Sequence, residues 1–170
     1  MLRFDLRELA NGPVETQAEL SPEDPLFEGL GVTLTGPVRV DGRLQGTGEG
    51  RYYWHGQLHA TVAGECRRCL TPVQAPVAAE VGALFTDAED AGDDPDSYRL
   101  ESHDTEVDLR PVVREELALV VPTFLECRDD CRGLCPNCGK DLNAGPCGCA
   151  APGSDPRWRA LADLKSKFTD

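Results

Sequence analysis

The chain has 170 residues, eight cysteines and a net charge of −13 at pH 7. That length can bury one real core but would leave two full domains each marginal. No run approaches the roughly 18 apolar residues of a membrane span. The charge argues against long-range steering to nucleic acid, yet it is uneven: residues 87–130 carry fifteen acids against four bases. Most of the cysteine-bearing sequence is near neutral and open to a local basic contact.

Arg3, Asp5, Arg7 and Glu8 interrupt the N-terminus, so it lacks the apolar run of a signal peptide. This predicts a cytoplasmic protein, where disulfides are rare and closely spaced cysteines more often hold metal. Leu2, Phe4 and Leu6 alternate with polar residues, the period of a half-buried strand. The Gly/Pro/acid stretch that follows, to about residue 30, reads as loop.

From Gly31 the pattern becomes a series of short strands, VTLTGPVRVDG, RLQGTGEG and RYYWHGQLHATVAG, punctuated at Asp41-Gly42 and Glu49-Gly50. Asp-Gly is a strong hairpin signal. Val32, Leu34, Val38 and Val40 can face one side, and Tyr53 with its alternate neighbours can do the same on its own strand. After CRRCL at 66–70, TPVQAPVAAEVGALF resumes the alternation. Residues 87–97 carry six acids and cannot offset ordering entropy by burial, so they read as a mobile, solvated loop, or else as an acidic interaction segment.

Asp108 can cap a helix over 109–121 whose apolar face holds Leu109, Val112, Val113, Leu117, Val120 and Val121. Pro111 is tolerated in the first turn, and Pro122 stops the helix. A C-terminal helix is expected from Asp155-Pro156, with Trp158, Leu161, Leu164 and Phe168 as its apolar stripe, docked on the protein's own core or else on a partner.

The cysteines run Cys66-x2-Cys69, then Cys127-x3-Cys131-x3-Cys135-x2-Cys138-x8-Cys147-x-Cys149. Thiolate zinc needs four sulfurs about 2.3 Å from the metal, and a Cys-x2-Cys turn presents two from one tight reversal. In CPNCG at 135–139, Pro136 fixes the entry and Gly139 permits the positive φ that such a turn requires. Two zinc ions per chain are expected. One pairing joins Cys135, Cys138, Cys147 and Cys149 locally and leaves Cys66, Cys69, Cys127 and Cys131 to tie the sheet to the end of the helix. The rival joins the two knuckles, Cys66/Cys69 with Cys135/Cys138. The shorter loop of the local pairing costs less entropy to close.

Buried free cysteine does not suit six cysteines crowded into residues 127–149 beside charged neighbours. A dithiol redox centre would want a βαβ pattern that is absent. An iron–sulfur cluster uses the same ligand type. The three histidines, His55, His59 and His103, need only be surface residues. An all-cysteine zinc shell is closed, unlike a catalytic one, and there is no phosphate loop, G-x-S-x-G elbow or HExxH. The expectation is therefore a protein that is not an enzyme, with no small-molecule substrate.

CRRCL at 66–70, VDLRPVVREELALVVP at 107–122, Cys127, CRGLCPNCGKDLN at 131–143, CGC at 147–149 and DPRW at 155–158 resemble the YceD-like family. These are the large ribosomal RNA subunit accumulation proteins of bacteria and plastids. The resemblance implies a part in ribosome assembly, with ribosomal RNA or a ribosomal or assembly protein as partner. Arg67, Arg68, Arg128, Arg132 and Lys140 lie in and around the knuckles, where metal-fixed turns would present them to phosphate with little entropy left to lose. They also suit ordinary solvated charges, or charges that offset the thiolates.

The fold class expected is α+β: an antiparallel, curved or partly closed β-sheet with one packing helix, a cysteine-rich zinc-binding segment and a C-terminal helix. Residues 1–122 would form the β-rich body, and 123–170 a cysteine-rich segment packed on it.

Overall fold

The computed structural model describes residues 2–48, 50–86, 97–101, 104–149 and 157. The expected acidic loop, save Ser97, lies outside these residues, as do His103 and the expected C-terminal helix with Trp158, Leu161, Leu164 and Phe168. In chain order the elements are β1 (Arg3–Asp5), α1 (Leu6–Leu9), β2 (Val14–Leu20), a 3-10 turn (Pro25–Phe27), β3 (Thr33–Leu34), β4 (Val38–Gly48), β5 (Arg51–Glu65), β6 (Pro72–Thr86), β7 (Ser97–Arg99), β8 (Glu106–Asp108) and α2 (Arg110–Val120).

The larger sheet has the order β2-β4-β5-β6-β7, with β3 also pairing with β5. Its backbone is the β5–β6 hairpin, paired without a break from Arg51 opposite Thr86 to Glu65 opposite Pro72. The sheet is open, with β2 and β7 at its ends and no ladder joining them among the described residues, so of the curved or partly closed sheet expected from sequence the partly closed form is corrected. Nor is it wholly antiparallel: β7 runs parallel to the end of β6, Phe85 opposite Tyr98. A second, two-stranded sheet pairs β1 with β8, Phe4 opposite Val107.

Three expectations fail for identifiable reasons. The stretch read as loop contains β2, whose buried positions are Thr16 and Ala18, too weakly apolar to display the strand period. Asp41-Gly42 is not a turn but lies within β4, opposite Gln57 and Gly56. The inward residues of β5 are Trp54, Gly56, Leu58, Ala60 and Val62, so Tyr53 belongs to the outer face.

The second and third failures share one cause. The Trp54 indole lies across Gly56 and Gly42 to reach β2, where its Nε1 donates to Thr16 Oγ1 at 2.9 Å. A Cβ at Gly42 would come within 2.7 Å of Gly56 Cα and 2.8 Å of Trp54 Nε1. These glycines are there for close approach, not for turning. The other expected turn is found where β4 joins β5, between Gly48 and Arg51.

Helix α2 buries Val112, Val113 and Leu117 and presents Leu119 outward. The cap falls one residue later than expected, on Leu109, although Asp108 still serves the first turn by accepting the Arg110 N–H at 3.0 Å. Val121 turns extended, as a residue before proline prefers. Arg114 ties the helix to the 3-10 turn, its guanidinium donating to the Leu26 carbonyl and to Glu28 O at 2.7 Å. No helix among the described residues is long and apolar enough to cross a membrane.

Candidate metal centres

The β5–β6 hairpin ends at Cys66, whose N–H donates to Thr71 O, and the chain leaving α2 runs alongside it: Arg67 N–H donates to Leu125 O, both at 2.9 Å. This brings Cys127 and Cys131 against Cys66 and Cys69. Further on, Cys135 and Cys138 meet Cys147 and Cys149. In each group of four the sulfurs all lie within 4.8 Å of one another. This is the local pairing; the rival arrangement that joins the two knuckles is not formed.

The geometry suits a metal. A tetrahedral site with metal–sulfur bonds near 2.3 Å has sulfur–sulfur edges of about 3.8 Å. Cys66 Sγ and Cys131 Sγ are 3.9 Å apart, and Cys69 Sγ and Cys127 Sγ 3.7 Å. A disulfide would require about 2.05 Å, and all eight cysteines are free. Four convergent sulfurs with no histidine or carboxylate are the donor set of a closed structural site.

Both knuckles use the same backbone turn. Leu70 N–H donates to Cys66 O at 2.8 Å, and Gly139 N–H to Cys135 O at 2.9 Å. The residue after the second cysteine takes positive φ each time, +72° at Gly139 as expected, but +59° at Leu70, where glycine would be easier.

Burial separates the centres. In the first, Cys66, Cys69 and Cys131 are buried and form a small cluster with Val73 and Leu134, with Cys127 exposed, whereas in the second Cys135 alone is buried and Cys138 and Cys149 are exposed. Within each group the sulfurs share protons unequally. Backbone donation from Cys127 brings the Cys66 thiol down to about 6, and the Asn137 and Cys138 backbone does the same for Cys135. Cys127, bonded chiefly to Cys131, and Cys149, bonded chiefly to Cys138, are pushed up to about 12 as they keep their protons for their neighbours.

Four of the five basic residues turn out to be engaged within the chain. Arg67 and Arg68 both pair with Glu126, and Arg67 also stacks over the Phe124 ring at 5.5 Å. Arg68 Nη1 donates to Asp129 O and Cys131 O, each at 3.1 Å. Arg128 meets Asp130 and Asn143, and Lys140 Nζ donates to Pro146 O. Among the described residues, only the Arg132 side chain of the five has no hydrogen-bond or ionic partner. His55 and His59 are exposed on the outer face of the sheet, His55 beside Glu80.

Sequence reasoning missed Glu126, which gathers two arginines at the first centre, and Asn143, which bonds to Cys131 Sγ. Asn143 stands in the CGKDLN run and had a local signal, since Asp-x-Asn favours a side-chain-bonded turn.

Fold and site together define a mostly-sheet protein with two four-cysteine clusters that could each hold a metal ion. The family model described as large ribosomal RNA subunit accumulation protein YceD matches residues 54–165, more than half the chain and all eight cysteines. The chain belongs to the YceD family. It is 30% identical over 169 residues to an uncharacterized protein of Mycobacterium tuberculosis, covering 98% of this chain and 76% of that one. To an uncharacterized Mycobacterium leprae protein it is 29% identical over 168 residues, covering 95% and 76%. An Arabidopsis thaliana protein named large ribosomal RNA subunit accumulation protein YCED homolog 1, chloroplastic, is 25% identical over 108 residues, covering 57% of this chain and 34% of that one. No solved structure matches.

Proposed function

We propose that the chain is a cytoplasmic, non-enzymatic zinc protein that supports accumulation of large-subunit ribosomal RNA during ribosome assembly. The observation that carries this reading is the YceD family match over a region containing all eight cysteines. Cys66, Cys69, Cys127 and Cys131 hold one zinc, and Cys135, Cys138, Cys147 and Cys149 the other. The closed thiolate shells fit a structural role, because they leave no open position for substrate. Residues 1–122 form the body, and the first zinc fastens the cysteine-rich segment 123–170 to it.

The chain acts by binding. In the RNA reading, the metal-fixed turns carry Arg67, Arg68, Arg128, Arg132 and Lys140 to ribosomal RNA. A second reading is favoured by the internal partners of four of these five: the chain is an interaction module for a ribosomal or assembly protein, its negative charge suiting a basic partner. Pull-down with and without RNase separates the two, partners lost with the RNA favouring the first and partners retained the second. The shared reading is tested by complementing cells that lack the protein with wild type or Cys66→Ser/Cys131→Ser. Wild type should restore large-subunit RNA and the variant should not. Restoration by a variant that cannot bind metal at the first centre would overturn it.

A further inference from the structure

The loop that closes the second centre also reaches the first. Residues 139–146 lie between the second centre's Cys138 and Cys147, yet they fold back on the chain between the two centres. Leu142 N–H donates to Gly133 O at 2.9 Å, and Leu134 bridges to Asp141. One residue further, the Asn143 side chain makes four hydrogen bonds. Its Oδ1 accepts the Arg132 N–H and the Arg128 guanidinium, both at 2.8 Å. Its Nδ2 donates to Asp141 Oδ1 at 2.7 Å and to Cys131 Sγ at 3.5 Å.

The amide orientation follows from chemistry, since Arg132 N–H and Arg128 are donors only and oblige Oδ1 to face them. The NH2 group is thereby turned on the sulfur. A donor to a metal-bound thiolate fixes its position and disperses its charge, and such outer partners typically alter metal affinity by about 10–100-fold.

We propose that Asn143 couples the two metal centres: it is a positioning residue of the first centre, held in place by the loop that the second centre closes. The proposal rests on the reading that both clusters bind zinc. Coupling of this kind is reciprocal, so each zinc steadies the other through one side chain. The more exposed second centre then governs how firmly the more buried first one keeps its metal.

Zinc release to an excess of a coloured chelator tests this, with Trp54 fluorescence in a common Trp158→Phe background confirming an intact sheet. Wild type should carry two zinc ions and release them in a fast and a slow phase. Asn143→Ala should still carry two, with the slow phase accelerated about tenfold or more. Cys138→Ser should carry one, released as fast as the slow phase of Asn143→Ala. Adding Asn143→Ala to Cys138→Ser should change nothing further, because the loop has already let the side chain go. Retention of the wild-type slow rate in either single variant, or effects that multiply in the double one, would overturn the coupling while leaving the zinc reading intact. A wild-type chain without zinc would overturn both.

Discussion

The Trp54 indole on β5 spans β4 to reach the Thr16 hydroxyl on β2, 2.9 Å from it and buried with it. The bond is possible only because Gly42 and Gly56 leave the ring a bare stretch of backbone.

Adding a methyl there should be costly. A Cβ at Gly56 would lie 2.4 Å from Trp54 Cζ2 and 2.7 Å from Asp41 O, so Gly56→Ala must displace ring or strand. We expect a loss of about 1–3 kcal/mol, the usual size of core overpacking. Gly46→Ala is the control, since its Cβ would meet nothing closer than 4.0 Å. Denaturant unfolding checks both, and equal midpoints would contradict the close-approach account.

Metal analysis should find two zinc ions per chain. Removal by chelator should unfold the cysteine segment while the hairpin sheet persists, since binding free energy is there folding free energy. Cys66→Ser should be the more disruptive single change and Cys138→Ser the milder, as Cys66 is wholly buried and Cys138 exposed. Iron and sulfide in place of zinc would correct the metal but not the ligands.

Acid should strip the metal in a defined direction. A thiol whose ordinary value is lowered favours its thiolate above the new value, and that preference is lost as pH falls through it. With Cys66 and Cys135 at about 6, zinc retention should weaken as pH drops from 7 through 6 toward 5. At pH 8, zinc uptake by the metal-free chain should release at least one proton per site, because Cys127 and Cys149 start protonated. A pH indicator in weak buffer reads this directly, and uptake without proton release would contradict it.

Arg68 and Arg132 should part company. Arg68 holds two carbonyls of the cysteine segment, so Arg68→Gln should raise hydrogen exchange across residues 126–134. Arg132→Gln should leave exchange and zinc unchanged. If the chain binds RNA through this face, Arg132→Gln should lower the salt dependence by roughly one unit.

What could be read from sequence was whatever rests on local chemistry. Cys135, Pro136, Cys138 and Gly139 specify their turn within five residues, and the apolar face of α2 together with Pro111 and Pro122 specifies its helix. The pairing of eight cysteines into two groups was also favoured by loop length. What escaped was decided at a distance. Gly42 follows Asp41 as in a hairpin, and only the indole of a residue on the next strand explains why the chain runs straight there. β2 is a strand because β4 and Trp54 make it one, not because VETQAEL looks like one. The basic residues were legible as a group, but their orientation depended on Glu126 and Asn143, which no spacing rule links to them.

Cys69 and Cys127, 3.7 Å apart in the first centre, are 58 residues apart in the chain. On a ribosome elongating at roughly 5–20 residues per second, that interval lasts about 3–12 seconds. Through those seconds the tip of the β5–β6 hairpin offers two cysteine sulfurs with no third or fourth. The second centre, drawn wholly from residues 135–149, completes itself almost as soon as it is made. The order in which the centres become able to close is thus written into the order of synthesis: the half-built first site must wait, and any metal it meets early is held by two sulfurs until the end of α2 and the loop beyond it arrive.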